Sequence, residues 1–268
     1  LSMDRTLIAL DIDGTILDVD GEIPEATHRE VRRLEDAGHV VMLATGRSAR
    51  HTLPVRERLG IDPRFVVSAN GAMTLERNGS GDYAAKWVET FDPSETLQRL
   101  RGVLEGAHFA VEGSDGVYRF SGQFPDGTFE AQGIEVPFDE LAATPVTRLV
   151  VVSPDQSTEE FLLNVEKSGL HQVSYSVGWT NWLDIAPQGV NKGTALERVR
   201  AALDIPRERV VVAGDGRNDI EMLEWAGAGG GRGVVMGNAP QEVIDAGTEL
   251  ADDFYHDGLA GALAQIRG

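Results

Sequence analysis

The sequence predicts an α/β fold in which a mainly parallel sheet lies between helices and a smaller α+β domain interrupts the chain. Three observations predict it. Short apolar runs without clean alternation, such as "LIAL", "VVMLA" and "RVVVAG", read as strands buried on both faces. Helical stretches separate them, which is the rhythm of a parallel sheet with crossover helices. That rhythm changes after Ala72 and resumes near Asn191, so an insertion is expected between.

Taken in order, residues 6–11 read as the first buried strand, ending in "DIDGT". Residues 24–37 read as a helix with Val31 and Leu34 inward and Gly38 as its stop. A second strand, 40–44, runs into "TGRSAR"; a helix over 47–59 follows, irregular near Pro54; a third strand, 65–68, ends in "ANGA". The insertion is expected to mix strands in "GVYRFSG", "VTRLVVVS" and "HQVSYSVG" with helices at 93–104 and 158–168. Its expected bounds are 78–185, leaving 1–77 and 186–268 as the two parts of the core. Beyond it come a helix over 191–203, the strand in "RVVVAGDG", a helix over 220–226, the strand and turn "GVVMGNA", and helices at 240–246 and 258–266. The glycine-rich "GAGGGRG" reads as a flexible turn.

Composition narrows the function. The chain of 268 residues carries 24 Lys and Arg against 43 Asp and Glu, a net charge of -19. A surface this acidic disfavours the nucleic-acid backbone, so no nucleic-acid partner is expected. Halophily or plain solubility would produce the same charge. No run reaches the roughly 20 apolar residues of a membrane span, and no basic stretch leads into an apolar one as in a signal peptide. The absence of cysteine rules out disulfides and thiolate metal sites and fits a cytoplasmic protein. Leu1 and Ser2 read as an addition ahead of a native start at Met3. An anionic substrate would need local cations to overcome the repulsion.

Four places carry candidate chemistry. Asp11 and Asp13, two apart in extended backbone just past a strand end, can share one side of the crevice where open α/β sheets bind ligands. Two close carboxylates repel unless a cation joins them, and Mg²⁺ suits such hard oxygens; an acidic turn capped by its own side chains is the alternative. In "LATGRSAR", Thr45 offers a hydroxyl and neighbouring backbone N–H groups to an oxyanion and Arg47 a fixed charge, although for this stretch alone a helix cap and a solvated arginine are the better reading. Lys192 opens a helix, where the backbone is already partly positive, so a nearby anion would account for it; a lone lysine there is more often exposed. Asp215, Asn218 and Asp219 crowd a loop after an apolar strand. A helix cap explains Asp219 but not Asp215, and two separate strands ending in aspartate favour a metal site. The six histidines show no ligand spacing and are expected to be structural or surface groups, and "WTNW" at 179–182 suits either a pocket wall or packing.

Together "DIDGT" at 11–15, "ATGR" at 44–47, Lys192 in "GVNKGTAL" and "GDGRND" at 214–219 resemble, in order and separation, the phosphatases of the haloacid dehalogenase superfamily. The short gap from Asp13 to Thr45 and the long one from Thr45 to Lys192 resemble its Cof-like branch, with a class IIB cap between the second and third motifs; "NGA" at 70–72 and "LDIAPQGVNKG" at 183–193 are typical of it. The resemblance implies a Rossmann-like three-layer core with an inserted α+β cap domain. It implies Asp11 as nucleophile, Asp13 as general acid and base, and Thr45 and Lys192 as holders of the phosphoryl oxygens. Gly46, Arg47 and Asn70 would lie near the substrate phosphate. Mg²⁺ would be held by Asp11, the Asp13 carbonyl and Asp215, supported by Asn218 and Asp219. The implied substrate is a small phosphorylated metabolite, a sugar phosphate by default, and the protein is expected as monomer or homodimer without a membrane partner. A phosphohexomutase using the same aspartyl-phosphate and a non-catalytic binding protein are the rival readings.

Overall fold

The computed structural model describes residues 5–124, 133–170, 173–177 and 181–268, with backbone alone for 173–177. Trp179, in the "WTNW" stretch, and the start of "HQVSYSVG" lie outside the described residues, as does the start of the chain. The chain forms two compact units, one of Leu1–Trp87 with Asn191–Gly268 and one of Val88–Val190.

In the first unit the apolar runs become strands and the amphipathic stretches helices. Its elements are β1 (Leu7–Leu10), α1 (Glu25–Asp36), β2 (Val40–Leu43), α2 (Ala49–Leu59), β3 (Phe65–Ser68), β4 (Met73–Arg77) and β5 (Tyr83–Val88), the last reaching the unit's edge. The second unit supplies α3 (Ser94–Val103), β6 (His108–Gly113), β7 (Tyr118–Ser121), β8 (Ile134–Glu135), β9 (Val146–Val152), α4 (Thr158–Lys167), β10 (Val173–Val177) and β11 (Trp182–Pro187). The first then continues with α5 (Lys192–Ala202), β12 (Val210–Gly214), α6 (Ile220–Ala228), β13 (Arg232–Val235), α7 (Gln241–Ala246), β14 (Glu249–Leu250) and α8 (Gly258–Ala264).

The core of the first unit is a five-stranded sheet in the order β14-β13-β12-β1-β2, parallel at every pairing. β1 is wholly buried, and so is β12, which explains why neither alternates polar with apolar. Leu7, Ala9, Val210, Val212, Leu196 and Met222 share one apolar cluster with helices α5 and α6. Because β1, β2 and β12 run the same way, their carboxyl ends fall on one edge. This is the Rossmann-like layered core expected from the sequence, with an inserted α+β cap domain.

Three local expectations change. The strand at 65–68 does not simply extend the parallel sheet. β3 pairs antiparallel with β4, and the three-stranded sheet β3-β4-β5 touches the line of β2 through a single parallel bridge, Ala44 to Val67. The chain therefore stays with the core to Trp87, beyond the expected edge at 77, because this hairpin pairs with β3; at the far side the core resumes at Asn191 rather than 186, since β11 runs to Pro187 in the other sheet. The glycine-rich 227–233 is less a free turn than expected, for it finishes α6 and begins β13.

The second unit is a six-stranded mixed sheet, β10-β11-β9-β6-β7-β8, with only β7 and β8 parallel. One face packs on α3 and α4 through Leu97, Leu100, Phe109, Leu149, Val151 and Phe161. The capping box of α4, in which Ser157 accepts from the Glu160 N–H, starts that helix. Among the described residues, no helix is long and apolar enough to cross a membrane.

Phe161 is fully buried in this second core. Phe161→Ala removes its ring contacts and leaves a cavity, which should cost about 3–5 kcal/mol. Urea unfolding followed by tryptophan fluorescence should show the correspondingly lower midpoint.

Candidate active site

Each predicted site residue but Lys192 and Asn70 sits at or just beyond the carboxyl end of a core strand. Asp11 follows β1, and its N–H donates to the Ala213 carbonyl of β12 at 2.9 Å. Asp215 follows β12 directly; the register that pairs Leu10 with Ala213 brings Asp11 level with Gly214, one position before Asp215. Gly14 lets the "DIDGT" loop wrap the second one. Its φ is +76°, and a Cβ there would lie 2.1 Å from an Asp215 carboxylate oxygen. Thr15 Oγ1 then donates to Asp215 Oδ1 at 3.1 Å.

Lys192 is the first residue of α5, capped by Asn191 through a reciprocal pair with Thr194. Its ammonium is fully buried and donates to Asp11 Oδ1 at 2.7 Å and to Asp219 Oδ1 at 2.6 Å. The anions that justify a lysine at a helix start are thus two aspartates of the chain itself. Asp219 is also fully buried, and its other oxygen accepts the N–H groups of Asp215 at 3.0 Å and Gly216 at 2.9 Å. The side chain is not spent on capping α6; it ties Lys192 to the loop that carries Asp215.

The electrostatics follow from this crowding. Asp11, Asp215 and Asp219 each offer an oxygen within 4.8 Å of the others, and all three are buried. Burial would push the Lys192 ammonium down, but Asp11 and Asp219 outweigh it and hold it above its ordinary value. One lysine does not neutralise three carboxylates. Burial raises Asp11 well above the usual carboxylate range, Asp219 adds to this, and Lys192 opposes it. Burial, then Asp219, pushes Asp215 up to about 7. The site as built therefore holds excess negative charge that a divalent cation would relieve. Its donors are all hard oxygens. Both oxygens of Asp219 already accept hydrogen bonds, whereas Asp11 Oδ2 accepts none among the described residues. Both oxygens of Asp215 also accept hydrogen bonds, from Thr15 and Asn238, so Asp11 offers the oxygen that is left open to a metal among the described residues, and Asp215 and Asp219 complete the cluster.

A second group forms around Thr45. Thr45 is buried after β2 and receives the Arg47 N–H on Oγ1 at 3.1 Å. The turn at 69–71 closes on it, with Asn70 N–H donating to the Thr45 carbonyl at 3.0 Å. Asn218 Nδ2 donates to Asn70 Oδ1 at 3.0 Å, and a Cβ on Gly46 would come 2.9 Å from that same oxygen. Asn218 is thus engaged with Asn70 rather than placed in the carboxylate cluster. Asp13 also lies apart from the cluster, its carboxylate held by Arg47. Two residues that the sequence does not single out also support Asp215: Thr15, in "DIDGT", and Asn238, in "GVVMGNA", which donates to Asp215 Oδ2 and to the Gly14 carbonyl, both at 3.2 Å. The signal for Asn238 was the one used for Asp11 and Asp215: a polar side chain just past a buried strand. Among the described residues no histidine joins a metal-ligating group.

The profile of the haloacid dehalogenase-like hydrolases matches residues 8–263. The chain belongs to that family. This haloacid dehalogenase-like hydrolase is a phosphatase of the Cof-like branch with a class IIB cap. It is 27% identical over 269 residues to the 5-amino-6-(5-phospho-D-ribitylamino)uracil phosphatase YitU of Bacillus subtilis, covering 97% of this chain and 96% of that one. It is also 27% identical over 243 residues to the HMP-PP phosphatase of Yersinia enterocolitica, covering 87% and 84% of the two. Among solved structures, TM0651 of Thermotoga maritima superposes with a TM-score of 0.76 at 23% identity over 98% of both chains. The subclass IIB sugar phosphatase BT4131 does so at 0.80 with 20% identity, covering 97% and 98%. At these identities the two structures speak for the fold alone.

Lys192→Met leaves Asp11 and Asp219 buried without their cation and should destabilise the hydrolase by about 3–5 kcal/mol, measurable by urea unfolding. A pH effect follows from Asp215. In the metal-free fold its carboxyl keeps a proton up to about 7, whereas the unfolded chain loses it near the model-peptide value of 3.8. The folded state then binds more protons between those limits, so this group makes stability fall as pH rises from about 4 to about 7. A cation needs the ionised carboxylate. Added MgCl₂ should therefore raise Tm more at pH 8 than at pH 5, and Asp215→Asn should remove the difference.

Proposed function

We propose that the protein hydrolyses a small phosphate monoester with Mg²⁺ through an aspartyl-phosphate on Asp11. The observation that carries this is the placement of Asp11, with one oxygen held by Lys192 at 2.7 Å and the other without a hydrogen bond among the described residues. A carboxylate is a weak nucleophile, so the phosphorus must be made electrophilic and the attack aligned.

The residues divide the work. Asp11 Oδ2 attacks phosphorus while Lys192 fixes the carboxylate and offsets the charge of the phosphoryl oxygens. Thr45, with the N–H groups of the following turn, and Asn70 receive those oxygens. Asp13 gives its proton to the leaving alcohol oxygen as the P–O bond breaks. It then takes a proton from the water that attacks the aspartyl-phosphate, which restores Asp11 and releases inorganic phosphate. Asp11, Asp215 and the Asp13 carbonyl would hold Mg²⁺, steadied by Asn218 and Asp219. Bound there, the ion supplies charge neutralisation and Lewis-acid polarisation of a phosphoryl oxygen. Asp215 is kept in place by Thr15 and Asn238.

A sugar phosphate or related phosphorylated metabolite is the substrate class we favour. The names of the relatives add 5-amino-6-(5-phospho-D-ribitylamino)uracil and HMP-PP to the candidates. Phosphate release over a panel of such esters, with MgCl₂ and with EDTA, tests the reading. Turnover should need the cation, and Asp11→Asn should lose at least roughly 10³-fold in kcat while keeping its Tm. Substantial turnover by Asp11→Asn would remove Asp11 as nucleophile.

A further inference from the structure

Asp215 ends the middle strand of three, for the sheet runs β13-β12-β1, and each of the three loops beyond those strands holds it. Its own loop fixes the backbone, since the Asp215 N–H donates to Asp219 Oδ2 at 3.0 Å. From the β1 side the Thr15 hydroxyl donates to Oδ1 at 3.1 Å, and from the β13 side the Asn238 amide donates to Oδ2 at 3.2 Å. One donor on each oxygen fixes the plane of a carboxylate, whereas a single donor leaves it free to swing about its last torsion. A carboxylate has about four acceptor positions, so each oxygen keeps one for a cation.

Asn238 differs from the other members of the cluster: it is exposed and carries no charge. Its amide is nevertheless oriented from behind. Asn238 Oδ1 accepts the Phe254 N–H at 3.3 Å, which turns Nδ2 toward Asp215 and lets it donate to the Gly14 carbonyl as well, at 3.2 Å. The turn that carries Asn238 is fixed on both sides. Met236 N–H donates to the Gly214 carbonyl of β12 at 3.0 Å, and Gly237 N–H to the Asp252 carbonyl at 3.2 Å. The second approach is so close that a Cβ on Gly237 would lie 2.8 Å from the Asp253 nitrogen. Phe254, buried, anchors that stretch.

We propose that Asn238 is a positioning residue that acts through Asp215: it keeps that carboxylate turned toward the cluster for a divalent cation, and residues 252–254 keep Asn238 in place. The role rests on the reading of this cluster as the Mg²⁺ site given above. Asp215 shares a small volume with Asp11 and Asp219, and like charges repel. Held by Thr15 alone, it would turn away from them, and binding an ion would have to reverse that turn. The Asn238 amide removes this cost beforehand, which is preorganisation of a ligand. A neutral donor suits the task, because a lysine in its place would compete with the ion for the same carboxylates.

Cation binding without substrate reads this role directly. The EDTA-stripped protein is titrated with MgCl₂ and the rise in Tm gives the Kd. Asn238→Ala should raise that Kd by about 10-fold or more, the scale on which partners that orient metal ligands act. Asn238→Ser, whose hydroxyl is too short to span both acceptors, should do the same. Because the side chain is exposed, the metal-free Tm of both variants should match that of the wild type. In turnover assays the loss should appear in the apparent Mg²⁺ constant, and excess MgCl₂ should rescue it. A Kd within about twofold of wild type in both variants would overturn the role. So would a raised KM for the ester with unchanged Mg²⁺ binding, which makes Asn238 a substrate contact, or a metal-free Tm that falls in step with affinity, which makes it a general support. Wild-type protein that binds no Mg²⁺ would instead overturn the metal reading of the cluster, and this role with it.

Discussion

One buried ammonium organises the site. Lys192 joins the loop after β1, the start of α5 and the loop after β12 through two short ion pairs, to Asp11 and to Asp219. Such charges are costly to desolvate, and an apolar trio of the same shape would often be as stable or more so. Their retention makes sense as placement. Lys192 cannot leave its two partners without stranding a buried carboxylate, so the nucleophile candidate is held in one rotamer before any substrate arrives. That is preorganisation in the sense that matters for phosphoryl transfer, where most of the work is positioning and charge stabilisation.

The parallel sheet makes this economical. β1 lies between β2 and β12, and all three point the same way. Asp11, Thr45 and Asp215 therefore arrive together from three distant stretches of sequence, Asp11 and Asp215 one step past a strand and Thr45 two. The two tight passages at Gly14 and Gly71 then bring loops close enough for Thr15 to reach Asp215 and for the 69–71 turn to reach the start of α5. Asp13 escapes the crowding because the chain turns outward after Ile12, and an exposed carboxyl suits a group that must exchange protons with substrate and water.

Much of this was legible in the sequence, and for physical reasons. Buried strands leave apolar runs, and an aspartate at the end of such a run stands out, which exposed Asp11 and Asp215. Lys192 stood out because a cation at a helix start is electrostatically wrong without an anion. The rest depended on geometry that residue order does not encode. Asp219 reads as a helix cap until its side chain is seen turned back onto the Asp215 and Gly216 amides. The fork between Arg47 and Asp13 spans 34 positions and rests on rotamers. The hairpin of β4 and β5 pairs with β3, so the core extends past the point where the helix-and-strand rhythm changes. Asn238 was overlooked because its strand ends in an amide rather than a carboxylate, a weaker signal for metal chemistry.

The direct test is to look for the covalent intermediate itself. The enzyme is mixed with a turned-over phosphate ester and Mg²⁺, quenched in acid within the first turnover, digested and mapped by mass. One phosphoryl group is expected on the peptide containing Leu7–Leu10, fragmenting to Asp11. A phosphoryl group on any other residue, or burst-free turnover with no adduct at all, would contradict it.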